Sequence, residues 1–392
     1  MTPEVVLHVI MKLYIQHQRL LYPACASPLL LQKLIAPQLL LTPDHPSQSE
    51  WTGPESCVNG TCVFSHSSQN GGLSLITSPV HAAVIQGYSV IPAAGAKPTP
   101  FREANMLGKG IGLKANRTIR KGEVLLTRGP TLVAQVDGLV ALEEGTRDLL
   151  YDLSMEKLPR HRRNAFMAQM GNGVHGKIET NCFQMFVHGA GDRGTSHLGC
   201  YPEMARMNHD CRPNVHYRLS NMTLTAVAAR DITPNEELSV SYVDVFLQSK
   251  ERKERVRSWG FECVCSLCRS PKNETDASDA RLRRIAQLQA DLNNFEQLKV
   301  TADTGAEYVA LVEEEGLDAH LGSVYTRAAL NFALFGDEAR AREHAQKAVG
   351  ALSLELGPGH GDVRAMRDLA MNPRTHWTWG KRRRGVGRGQ RR

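Results

Sequence analysis

The chain has 392 residues, 42% hydrophobic and 22% charged, with a formal charge of +7. That balance is ordinary for a globular protein, and the length suits one catalytic domain plus a helical appendage. Nine cysteines over this length do not make a disulfide scaffold, and the lack of any run of about 18–20 apolar residues argues against a membrane span.

Residues 1–100 are rich in Pro, Ser and Gly with little periodicity, and read as a poorly ordered leader. Val5 to Ala26 fits a signal peptide poorly, because Lys12, Gln16, His17, Gln18 and Arg19 interrupt it. Cys57 and Cys62 flank a Val-Asn-Gly-Thr turn and could pair in an oxidising compartment. From Leu107 the texture changes. Gly108-Lys109-Gly110-Ile111-Gly112 and the later Val124-Leu125-Leu126 predict two short strands joined by a turn at Lys121-Gly122. Leu139, Leu142, Leu149, Leu150, Leu153 and Leu158, then Phe166 and Met170, recur near the helical period.

Val215 to Leu219 and Leu224 to Ala228 alternate as strands around a Ser220-Asn221-Met222 turn. Residues 231–237 read as a turn, after which Leu238, Val240 and Tyr242 share an inward face. Leu282, Ile285, Leu288, Leu292 and Phe295 then predict a helix behind an Asp279 cap. Tyr325 to Leu334 and Ala341 to Ala351 read as paired helices about Gly336-Asp337-Glu338-Ala339, similar to one imperfect tetratricopeptide-type hairpin. Residues 371–392, with Lys381-Arg382-Arg383-Arg384, read as a disordered basic tail. Nuclear import or nucleic-acid contact is the functional alternative for it.

The densest chemistry lies in Arg206-Met207-Asn208-His209-Asp210-Cys211-Arg212-Pro213-Asn214, then Ser241-Tyr242, then Cys263-Val264-Cys265-Ser266-Leu267-Cys268. Tetrahedral structural zinc takes four thiolates, and three closely spaced cysteines supply three with little chain entropy. Cys211 is the candidate fourth. No coordination position then stays open, so the zinc would be structural. Asn208-His209 is a polar pair that needs partners if buried. The Gly108–Gly112 stretch is not the dinucleotide fingerprint, since its third glycine falls too early.

The ordered set NHxCxPN, SY and CxCxxC resembles the SET-domain protein lysine methyltransferases, more narrowly their SMYD-like branch, over roughly residues 101–270. The resemblance implies an α+β protein. Its parts would be a β-rich SET fold with a helical insertion, a zinc-bound post-SET segment and a helical C-terminal region at about 279–370. It implies S-adenosylmethionine as methyl donor, held by Lys109, Gly110, Ile111, Asn208 and His209, by Asn181 and by Phe261, with Trp259 beside it. Lys109 has the charge to pair with the donor's carboxylate. It implies structural Zn2+ on Cys211, Cys263, Cys265 and Cys268, and Tyr242 as the hydroxyl that orients the target amine. The SMYD pattern's MYND insertion is missing, because no cysteine lies between Val136 and Glu179. The implied substrate is a protein lysine, histone or non-histone. The implied compartment is nucleus or cytoplasm, with secretion left open. A non-catalytic SET-fold scaffold or peptide-binding protein is the rival reading.

Overall fold

The computed structural model describes residues 51–88, 99–187, 195–294 and 299–382. In chain order the strands are β1 (Trp51–Val58), β2 (Thr61–His66), β3 (Leu73–Thr77), β4 (Phe101–Met106), β5 (Gly110–Ala115) and β6 (Val124–Arg128). Then come β7 (Leu132–Gln135), β8 (Cys182–Phe186), β9 (Ser196–Cys200), β10 (Asn208–His209), β11 (Val215–Ser220), β12 (Thr223–Ala228) and β13 (Glu237–Val240). Two compact units result. Among the described residues, one takes 51–88, 128–187, 195–205 and 221–223, the other 99–127, 206–220, 224–294 and 299–382.

The first unit is built on a six-stranded sheet of order β1-β2-β3-β7-β9-β8. Its β1–β2 hairpin turns on Asn59 and Gly60, both left-handed at φ 49° and 80°, the conformation that matches the twist of paired strands. Val63, Ile76, Leu132, Leu150, Phe166 and Leu198 fill the core between this sheet and the helices Glu144–Glu156, Arg160–Met167 and Gly173–Asn181. The expected leader is thereby corrected. Its 51–87 portion supplies three strands and the helix Pro79–Gln86, while residues 1–50 lie outside the described residues. Cys57 and Cys62 are disulfide-bonded, as are Cys182 and Cys200 across β8 and β9. The helical stretch breaks at Lys157–Pro159. The second helix ends at Met167, so Met170 lies in the bend beyond it and is 75% exposed, and Leu149 faces out at 71%.

The second unit holds the sheets β10-β13-β5-β4 and β11-β12-β6. Short β10 runs parallel to β13, with Asn208 opposite Ser239 and His209 opposite Val240. Asn214, 1% exposed, fastens the following loop to β13. It donates to the Glu237 carbonyl at 2.8 Å and accepts the Ser239 N–H at 2.9 Å. Helices Lys272–Asn293, Ala302–Glu314, Leu321–Phe335, Glu338–Glu355 and Gly361–Met371 follow. Leu282, Ile285, Leu288 and Leu292 are buried as expected, and Phe295 lies outside the described residues.

Asp279 is not the cap. That helix begins seven residues earlier, and Asp279 Oδ1 instead accepts the Ser249 N–H at 2.7 Å, at the start of Ser249–Arg257. Gly336, left-handed at φ 74°, closes one helix, and the Asp337 carboxylate opens the next by accepting the Arg340 N–H. Residues 372–382 of the expected basic tail are packed: Thr378 is fully buried, and the Arg382 N–H donates to the Leu334 carbonyl at 3.0 Å. Residues 383–392 lie outside the described residues. No helix among the described residues is long and apolar enough to cross a membrane.

Candidate active site and metal centre

The four sulfurs of Cys211, Cys263, Cys265 and Cys268 lie within 4.8 Å of one another. Cys211 Sγ is 3.9 Å from Cys263 Sγ and 3.6 Å from Cys268 Sγ. Four thiolates about 2.3 Å from a central zinc would stand about 3.8 Å apart, so the cluster has the dimensions of a tetrahedral site. Cys211 and Cys265 are buried and the other two half-buried. The fourth cysteine comes from the loop after β10, some 50 residues before the triplet.

Beside this cluster the polar residues converge on a carboxylate that sequence reading left in a turn. Glu237, first residue of β13, accepts from Lys109 Nζ at 2.8 Å and from Asn208 Nδ2 at 2.9 Å. Lys109 and Glu237 are only 19% and 18% exposed. The available signal was alternation. With Leu238 and Val240 on one face of β13, Glu237 must point to the other. Close approach makes this network possible. A Cβ on Gly112 would come within 2.6 Å of Asn208 Nδ2 and 2.7 Å of Met106 Cγ. Gly110 differs: it is left-handed at φ 75° and has nothing within 4 Å of where a Cβ would sit, so its backbone borders open space. Ile111 beside it is 44% exposed.

His209 is 3% exposed and both its ring nitrogens are engaged. Nδ1 accepts the Tyr242 N–H at 3.0 Å, and Nε2 lies 3.4 Å from Cys211 Sγ. Sequence expectation placed this side chain against a cofactor, but its polar atoms serve the protein. The Tyr242 hydroxyl donates to the Met207 carbonyl at 2.8 Å. Burial pushes the phenol's pKa up, and the Glu237 charge acts in the same sense, so the phenol stays protonated at neutral pH and is a donor, not a base. Around it stand Trp259, ring centroids 5.2 Å away, and Phe261 at 6.2 Å, edge-on. Phe261 is 36% exposed, an aromatic surface open on one side.

Lys109, Gly110, Ile111, Asn208, His209, Tyr242, Phe261 and the four cysteines thus belong to one unit. Asn181 does not. It ends the helix Gly173–Asn181 in the other unit, where its amide donates to the Met170 and Lys177 carbonyls, both at 2.8 Å. An isolated asparagine before a strand carries no spacing that distinguishes a ligand contact from a helix end.

Comparison with known proteins gives this arrangement a family. Residues 110–243 match the SET domain family. The chain carries a SET domain. Human histone-lysine N-methyltransferase SMYD3 is 32% identical over 103 residues, 26% of this chain and 24% of that protein. Human N-lysine methyltransferase SMYD2 is 33% identical over 98 residues, 24% of this chain and 22% of that protein. Histone-lysine N-methyltransferase set5 of Schizosaccharomyces pombe is 29% identical over 184 residues, 44% of this chain and 56% of that protein. The chain therefore spans about a quarter of the two SMYD relatives and just over half of set5.

Proposed function

We propose that this SET domain transfers a methyl group from S-adenosylmethionine to the side-chain amine of a protein lysine, histone or non-histone. The observation that carries the reading is Tyr242, a neutral phenol held by Met207 and ringed by Trp259 and Phe261, within a domain whose relatives are named as lysine methyltransferases. The cofactor's chemistry, when bound, is an electrophilic methyl on a sulfonium.

The residues present fit such a group. Lys109 offers a cation for a carboxylate, Glu237 an anion for an ammonium, Gly110 an open backbone, and Phe261 an aromatic face. The Tyr242 hydroxyl would orient the target amine so that its lone pair points along the transfer axis, and the aromatic walls would exclude water. The proton leaves by solvent, since the phenol is already protonated. The four-cysteine cluster would hold structural Zn2+ and fasten residues 263–268 to the loop after β10. The scaffold reading requires none of these convergences.

Tyr242→Phe tests the proposal. It keeps the ring and removes one hydroxyl, so calorimetric affinity for S-adenosylmethionine should survive while turnover on protein lysine falls roughly 10²-fold or more. A Phe variant as active as the parent would refute the role of Tyr242. A parent that binds cofactor yet methylates no lysine in cell extract would favour the scaffold.

A further inference from the structure

We infer that His209 is a positioning residue that ties the conformation of Tyr242 to the state of the four-cysteine metal site, through one imidazole in a fixed tautomer. The inference deepens the methyltransferase reading and rests on it for its kinetic consequence, but not for its structural one.

The tautomer follows from the partners. A backbone N–H only donates, so Nδ1, which receives the Tyr242 N–H at 3.0 Å, must present its lone pair. The neutral ring has one N–H left, on Nε2, and that nitrogen faces Cys211 Sγ at 3.4 Å. His209 therefore donates to sulfur and accepts from Tyr242. The ring is 3% exposed, so water does not stand in for either partner.

The quality of the first bond depends on the sulfur. A metal-bound cysteine is a thiolate, a charged acceptor that orders an N–H. A free Cys211 would be a thiol, a weak acceptor with a proton of its own to place. Losing the metal thus removes what fixes the imidazole, and the imidazole is what fixes the Tyr242 amide. Partners on metal ligands ordinarily act inward, orienting the ligand; here the same contact also acts outward.

The rest of the geometry makes Tyr242 sensitive to this contact. Its hydroxyl is held by the Met207 carbonyl at 2.8 Å and its amide by the His209 ring, so both ends are pinned by residues 207–209. That segment is itself held by two pairings with β13 and by the Asp210 N–H on the Val240 carbonyl at 3.0 Å. A small rotation of the His209 ring would release the amide without unfolding the strand.

The experiment uses the full chain loaded with 113Cd in place of zinc and labelled with 15N. The His209 ring should show the Nε2–H tautomer, with a scalar coupling from that proton to 113Cd through Cys211. His209→Asn keeps an acceptor near the Nδ1 position and has no group at Nε2. It should abolish the coupling, leave the four-thiolate cadmium signal in place, and lower kcat about 10–100-fold with little change in cofactor affinity. An Nδ1–H tautomer, or no coupling in a protein with its cluster loaded, would overturn the inference. So would a His209→Asn enzyme with unchanged kcat. If the coupling is present but parent and variant are both inactive on lysine, the methyltransferase reading fails while the link from metal to Tyr242 stands.

Discussion

Glu315→Ala should cost the C-terminal unit far more than the loss of an ordinary surface charge. Glu315 is 2% exposed at its side chain and receives Arg212, 14% exposed, together with the Arg281 Nε at 2.7 Å and the Ser278 hydroxyl. Burial opposes its charge, but the hydrogen bonds from Ser278 and Arg212 and the nearby Arg212 charge outweigh it and hold the carboxyl below the usual range. Removing one partner of a buried pair costs about 3–5 kcal/mol, because the other charge is left uncompensated. Arg212 would keep main-chain acceptors, the carbonyls of Cys211 and Glu315, both at 2.6 Å. Arg281 could still turn to Glu314, now 3.1 Å from its Nη1. The lower end of the range, about 3 kcal/mol, is therefore expected, and for a unit of this size it corresponds to roughly 6–12 °C in Tm.

The control is Glu307→Ala. It breaks an exposed pair with Arg284, 42% and 44% exposed, and should cost under about 1 kcal/mol. Thermal and urea melts of the metal-loaded protein decide the matter. Equal losses in the two variants would show that the Arg212–Glu315 contact is not functionally buried. Because Arg212 follows Cys211 directly, metal release to a chelator should also quicken in Glu315→Ala and not in Glu307→Ala.

Two further outcomes are expected. Gly112→Ala places a methyl against Asn208 and Met106, an overpacking worth about 1–3 kcal/mol. It should weaken S-adenosylmethionine about tenfold or more by calorimetry, and unchanged affinity would show that Asn208 is not at the cofactor. His197 is fully buried and its pKa is pushed down to about 4, chiefly by burial. The unfolded chain then takes the proton first, near 6.5. The N-terminal unit should keep its full stability above that pH, lose up to about 3 kcal/mol as pH falls to 4, and lose no more from this group below. Urea melts at pH 7.5, 5.5 and 4.5 should show a shallower loss for His197→Gln; parallel losses would rule the histidine out.

What the sequence by itself determined is local. Three cysteines within six residues can face one point whatever surrounds them, and a strand's period of two put Leu238 and Val240 on one face, while Tyr242 lies two residues past the end of β13. The hairpin at Asn221-Met222 and the helix break at Gly336-Asp337 carried their own turn chemistry. The Asn59-Gly60 turn was equally legible, but the strands on either side of it were lost in the expected leader because the polar composition around them outweighed one turn signal.

Tertiary structure decided what depends on a second segment. Glu237 looks like any turn carboxylate until the β4–β5 hairpin and β10 bring Lys109 and Asn208 to it across more than 100 and nearly 30 residues of chain. The orientation of His209, toward Cys211 and the Tyr242 amide and not outward, follows from the pairing of β10 with β13. Asn181 lies in the other unit and shows the converse case. Its amide is satisfied by carbonyls of Met170 and Lys177, local partners that its sequence motif did not announce. Side-chain identity fixes which hydrogen bonds a residue can make, but the fold chooses among them, because a buried polar group takes whichever partner the backbone brings within reach.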